Sequence, residues 1–207
     1  MAGDIANLIV DLEEDKTLET VRGALTQGVA PMAVVEELRQ GMSEVGRRFE
    51  NKEYYLSELV MSAEIFKQAM ELIAPYLGDS SSATRGAVVI GTVQGDIHDI
   101  GKNIVASLLR CEGFEVHDMG VDVPPATFID KLNETEAGLL ALSGLLTVAF
   151  DSMKATVDAV SGAGLRDKVK VIIGGGPVNE TVVDFTGADA FGKDAAEAVR
   201  LASDYVA

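Results

Sequence analysis

Along the first 77 residues apolar positions recur at helical spacing, and from residue 86 onward they gather into short unbroken blocks. Ile5, Leu8, Ile9 and Leu12 share one helical face. Thr17 is expected to cap a second helix, with Thr20 in its first turn; Leu18, Val21 and Leu25 form its stripe, and Gly28 ends it. Pro31 suits the first turn of a third helix, where its missing N–H is no loss. That helix carries Val34, Val35, Leu38, Met42, Val45 and Phe49. A fourth bears Leu56, Leu59, Val60, Ala63, Phe66, Met70 and Ile73 and is expected to stop near Pro75. Connections this short favour sequential packing, so 1–77 reads as a four-helix bundle. Residues 78–85, small and polar, have the composition of a flexible linker.

Residues 86–207 alternate in another way. Strand-like blocks at 88–93, 114–119, 139–142, 169–173 and 188–191 are separated by helix-like runs near 102–112, 124–134, 149–161 and 178–185. A last helical run covers 193–206. Apolar strands without in–out alternation, each followed by a helix, imply a parallel sheet covered on both faces. The fold class is therefore α plus α/β: a helical bundle, then a flavodoxin-like, doubly wound sheet of five parallel strands in the order 2-1-3-4-5. Such sheets bind ligands at the carboxyl ends of their strands, at the point where the strand order reverses.

Charge removes several function classes. The net charge is −16, and residues 1–85 hold 15 acids against 8 bases while 86–207 hold 18 against 9. Neither part offers a basic face, which argues against nucleic acid and against anionic membranes as partners. No apolar run is long enough to span a bilayer, and Met1-Ala2-Gly3-Asp4 lacks the basic start of a secretion signal. The single cysteine, Cys111, cannot pair within the chain, so a reducing cytoplasm is the expected compartment.

Candidate chemistry gathers after the first strand, where Gly95-Asp96-Ile97-His98-Asp99-Ile100-Gly101 precedes a helix. His98 is one of two histidines in the chain, and Asp96 stands where it can fix the imidazole tautomer, as metal-bound histidines require. His117, in a strand, reads as structural. The loop after the third strand supplies Ser143, Leu145 and Thr147; the fourth ends in Gly174, Gly175 and Gly176; the fifth leads to Asp194 and Ala195. Several loops rich in small and hydroxyl residues thus emerge at one sheet edge, suited to a large ligand. No glycine-rich loop precedes a Lys-Ser or Lys-Thr pair, and no Gly-x-Gly-x-x-Gly follows the first strand.

Asp96-x-His98-x-x-Gly101 resembles the signature of the cobalamin-binding domain. In that family the histidine ligates cobalt, the aspartate orients it, and the glycine lets the chain pass close to the corrin. Ser143, Leu145 and Thr147 match the family's second motif, and a glycine pair within 174–176 matches its third. These loops and Ala195 then correspond to a slot for the cofactor's nucleotide tail. In the helical half, Met42, Val45, Gly46, Phe49 and Leu56 resemble the cap module of corrinoid methyl carriers, whose apolar side chains cover the corrin's upper face. The glycine usual before the aromatic pair is absent from Asn51-Lys52-Glu53, and Ser57 replaces a frequent proline.

The resemblance implies a methyltransferase cognate corrinoid protein of one-carbon metabolism, similar to the cobalamin-binding module of cobalamin-dependent methionine synthase. Such a protein holds cobalamin, in its methylcobalamin and Co(I) forms, with the benzimidazole off and the histidine on. It is a carrier, not a catalyst alone. Its partners are a substrate-specific methyltransferase, a second methyltransferase acting on an acceptor such as tetrahydrofolate or a thiol, and a reductive activase. His98 Nε2 would bind the metal, Asp96 would take the other ring proton, and Ser143 would hydrogen-bond Asp96 in turn. The alternative within the same resemblance is the cobalamin-binding subunit of an adenosylcobalamin-dependent mutase, which has no need of the Met42–Leu56 cap. A cobalamin photosensor should bring a basic DNA-binding segment and often a tryptophan over the corrin, and the chain has neither.

Overall fold

The helical periodicity of the first part resolves into four helices in the computed structural model of the protein, which describes residues 5–77 and 85–206. They are α1 (Ile5–Val10), α2 (Glu14–Thr26), α3 (Pro31–Glu50) and α4 (Leu56–Leu77). Their stripes are buried: Ile5, Ile9, Val21, Leu38, Val45, Leu59 and Ile73 are at most 1 % exposed. Pro31 occupies the first turn of α3 as its sequence position predicts. Two expected boundaries move. Thr17 is not a cap, because α2 begins at Glu14, placing Glu14 and Asp15 at the positive end of the helix dipole. Thr17 is buried inside the helix, its hydroxyl donating to the Glu13 carbonyl at 2.8 Å. Helix α4 continues through Pro75 to Leu77, since a proline in the last turn forfeits little more than one N–H. The Tyr54 hydroxyl donates to the Val10 carbonyl at 2.7 Å and accepts from Arg48, tying the α3–α4 turn to the end of α1.

The chain divides into two compact units, Met1–Ala83 and Thr84–Ala207. Of the expected linker only Arg85 lies among the described residues. The second unit is built from β1 (Ala87–Thr92), α5 (Ile100–Cys111), β2 (Glu115–Asp118), α6 (Pro125–Thr135), β3 (Leu139–Ser143), α7 (Ala149–Gly162), β4 (Lys170–Gly174), α8 (Glu180–Thr186), β5 (Ala190–Gly192) and α9 (Ala195–Val206). All strand pairs are parallel, in the order β2-β1-β3-β4-β5.

Strand alternation sends neighbouring residues to opposite faces, and both faces are apolar. Val89, Leu140, Leu142, Val171 and Ile173 pack with Phe128, Leu132, Met153 and Val157. Val88, Ile90, Leu139, Ala141 and Ile172 pack on the other side with Ala106, Leu109, Ala198 and Ala202. Register aligns the strand ends, pairing Thr92 with Ser143, Ser143 with Gly174, and Gly174 with Gly192. The loops that follow therefore leave one edge side by side. Among the described residues no helix is long and apolar enough to cross a membrane.

Candidate functional site

The site grows from the end of β1. Buried Thr92 donates its hydroxyl to the His98 carbonyl at 2.9 Å, and Asp96 N–H donates to the Val93 carbonyl at 3.1 Å, so residues 93–98 fold back over the strand end. Asp96 is fully buried. Its Oδ1 accepts from the backbone N–H of His98 at 2.9 Å and lies 2.7 Å from His98 Nδ1. Its Oδ2 accepts from the backbone N–H groups of Leu145 at 2.7 Å and Leu146 at 3.0 Å. Burial pushes this carboxyl up, but the hydrogen bonds from Leu146, His98 and Leu145 more than reverse it and hold the group well below the usual carboxylate range. An ionised carboxylate only accepts, so His98 Nδ1 carries a proton and donates it, which in the neutral ring leaves the lone pair on Nε2. The His98 side chain is 47 % exposed. A ring nitrogen with the chemistry of a metal ligand is thus left exposed at the sheet edge.

One expected contact is absent. The Ser143 hydroxyl makes no hydrogen bond to Asp96, because the β3–α7 loop turns its backbone amides, not that side chain, toward the carboxylate. Ser143 stands half-buried at the end of β3, with its carbonyl accepting from Val93 N–H at 3.0 Å.

The remaining predicted residues group by loop. Gly95, Ile97, Asp99, Ile100 and Gly101 are exposed around His98, and Leu145 and Thr147 are exposed beside them. Ile97 and Ile100, each 73 % exposed, lie on either side of His98 in sequence, and Val121, Leu145, Leu146 and Val148 are exposed on the two loops hydrogen-bonded to this one, an apolar collar at the sheet edge. Apolar side chains left in solvent this way mark a binding surface. Gly175, with φ near +142°, lies so close to the β3–α7 loop that a Cβ there would strike the Gly144 carbonyl. Gly174 is half-buried, whereas Gly175 and Gly176 are exposed beside that loop. Ala195 opens α9; Asp194 before it accepts from Glu197 N–H at 2.8 Å, which makes it the helix cap. In the helical unit Met42 is 3 % exposed, Phe49 half-buried and Leu56 49 % exposed.

Sequence reasoning missed the β2–α6 loop. Asp122 Oδ1 accepts from Gly95 N–H at 2.7 Å, Asp122 N–H donates to the Asp96 carbonyl at 3.0 Å, and Val93 bridges to Val123. The run Asp118-Met119-Gly120-Val121-Asp122 carries turn chemistry at the carboxyl end of the strand expected beside β1, and that was the available signal. His117 is half-buried in β2, with Nε2 3.2 Å from Glu115 Oε1 but without a hydrogen bond to it.

Among the described residues no group of three or more His, Cys, Asp or Glu side chains could hold a metal ion. A metal that arrives with most of its positions already filled, as in a chelating macrocycle, needs only one further ligand, and His98 has the chemistry to supply it.

Residues 86–200 match the family described as "B12 binding domain", and residues 1–74 match a second family of the same description. The dimethylamine corrinoid protein of Methanosarcina barkeri is 37 % identical over 206 residues, covering 99 % of this chain and 96 % of that one. Trimethylamine corrinoid protein 1 of Methanosarcina acetivorans is 39 % identical, covering 92 % and 90 %. A cobalamin-binding protein from Desulfitobacterium hafniense superposes with a TM-score of 0.82 at 40 % identity, covering 100 % and 99 %. A chain of the methanol:cobalamin methyltransferase complex of Methanosarcina barkeri superposes at 0.87 with 31 % identity, covering 98 % and 78 %.

Proposed function

The chain belongs to the corrinoid proteins of cobalamin-dependent methyltransferase systems, and on that premise we propose that it carries a methyl group from a substrate-specific methyltransferase to a second methyltransferase. The observation that carries this reading is the buried Asp96 carboxylate, which holds the exposed His98 ring through Nδ1 and leaves Nε2 free. The residues present fit a corrinoid. A lone histidine suits a metal already chelated in its equatorial plane, and the collar of Ile97, Ile100, Leu145 and Leu146 suits the apolar rim of a macrocycle.

His98 Nε2 would bind the cobalt. Gly101, where an added Cβ would meet nothing within 4 Å, leaves room for close approach. Ser143, Thr147, Gly174, Gly175, Gly176 and Ala195 would line the path of the nucleotide tail, and Met42, Phe49 and Leu56 would be the apolar residues that shield the reactive face. When bound, the corrinoid supplies a cobalt centre able to accept and release a methyl group. The protein's part is to orient and to protect. Asp96 keeps the ring proton at Nδ1, which raises the donor strength of Nε2. The hydrogen bonds it accepts from the Leu145 and Leu146 amides anchor the carboxylate, and through it the ring, to the β3–α7 loop.

The names of the relatives support methylamines as the donor, and residues 1–74, matching a family of their own, support the carrier over the mutase subunit. The partners would be a methylamine methyltransferase, a methyltransferase acting on an acceptor such as tetrahydrofolate or a thiol, and a reductive activase. The test is to reconstitute the protein with reduced cobalamin and supply labelled dimethylamine, trimethylamine or methanol with the matching methyltransferase. Label should co-elute with the protein for a methylamine. Label on none of the donors would contradict the carrier role; label from methanol alone would contradict the choice of donor.

A further inference from the structure

Lys102 stands in the first turn of α5, one turn beyond His98, and its side chain is only 2 % exposed. A cation there opposes the helix dipole, and a buried ammonium is unfavourable unless its donors and its charge are met. Its partners account for every donor: both oxygens of Asp118 at 2.6 Å and Asn103 Oδ1 at 2.7 Å. An apolar residue would fill this place without the penalty, so the pair has another use.

The partners show what it is. Asp118 ends β2, in register with Ile90 of β1, and its Oδ1 also accepts from Gly120 N–H at 2.9 Å. The loop that follows holds the histidine loop through Gly95 N–H to Asp122 Oδ1 and Asp122 N–H to the Asp96 carbonyl. Asp96 is held from the other side by the amides of Leu145 and Leu146. The histidine loop is thus gripped between the loops of both neighbouring strands, and Lys102 joins the helix that follows His98 to the loop on the β2 side. We propose that the buried Lys102–Asp118 pair is a positioning clamp that sets how far His98 projects, and therefore how completely it ligates the metal. The proposal rests on His98 being that ligand.

The test is electron paramagnetic resonance of the full-length protein loaded with cob(II)alamin, in which an axial nitrogen splits the cobalt lines. Without substitution the nitrogen splitting should be present. Its absence would overturn the ligand assignment itself, and the clamp with it. Given that splitting, Lys102→Met and Asp118→Asn should each lower the ratio of histidine-bound to histidine-free cobalt about tenfold, the equivalent of about 1.4 kcal/mol. The double variant should lose no more than either alone, because both act through one contact. Arg85→Gln, which breaks the Arg85–Glu112 contact of 3.0 Å before β1, should leave the ratio unchanged whatever it does to stability. Unchanged spectra in Lys102→Met and Asp118→Asn, additive losses in the double variant, or an equal loss in Arg85→Gln would each overturn the clamp. If Lys102→Met does not fold, Asp118→Asn, which preserves size, decides alone by the same criterion.

Discussion

Asp96 serves two masters, and its stability role can be measured apart from the cofactor. Replacing it with Ala leaves the N–H groups of His98, Leu145 and Leu146 without their acceptor, which should destabilise the apoprotein by about 2–4 kcal/mol, since the two loop amides can recover water. The same substitution should flatten the acid limb of stability. The folded carboxyl is held below its ordinary value of about 3.9, so its contribution is present above that pH and fades as pH falls toward the depressed folded value. Thermal melts at pH 5 and pH 3 should show a larger drop for the unsubstituted protein than for Asp96→Ala; equal drops would mean that this carboxylate is not held as described. Gly101 separates fold from binding in the opposite sense. Ala there meets open space within a helix and should raise stability by about 0.5–1 kcal/mol. If the glycine admits the corrin, the same variant should weaken cobalamin binding, as titration of the apoprotein would reveal.

At the level of elements, much of the fold is legible because its periodicities are unambiguous. Unbroken blocks such as Leu139 to Leu142 admit only a strand covered on both faces, and the observed order follows from doubly wound base rates. Boundaries set by competing local terms are less legible. Thr17 carries a capping side chain, yet Glu14 and Asp15 open α2 earlier. The Asp96–His98 pair is legible because it is local in sequence. Its anchor is not, since the Leu145 and Leu146 amides lie some fifty residues away and amides carry no sequence signature. The family resemblance points to the Ser143 hydroxyl for this contact, whereas the carboxylate is met by the two loop amides. The β3–α7 and β4–α8 turns meet backbone to backbone at Gly144 and Gly175, so Gly175→Ala should be costly, about 1–3 kcal/mol from conformation alone with the collision added. A melt within experimental error of the unsubstituted protein would contradict that packing.

For the whole molecule the acidic charge of −16 and the two units pose one question, what the assembly gains from a bound corrinoid. A ligand that binds only the folded state stabilises it by about 2.7 kcal/mol at a hundredfold excess over its Kd. The holoprotein should therefore melt above the apoprotein, and removal of cobalamin should lower the midpoint in proportion to the logarithm of its concentration. His98→Ala should keep part of this gain, because the contacts proposed for the collar and for the nucleotide tail do not depend on the imidazole. Loss of the whole gain would mean that the histidine alone holds the cofactor. The most direct measurement is the absorption spectrum of methylcobalamin bound to the purified protein and to His98→Ala. The account predicts a benzimidazole-off, histidine-on spectrum that turns fully base-off when His98 is removed; the same spectrum in both would contradict it.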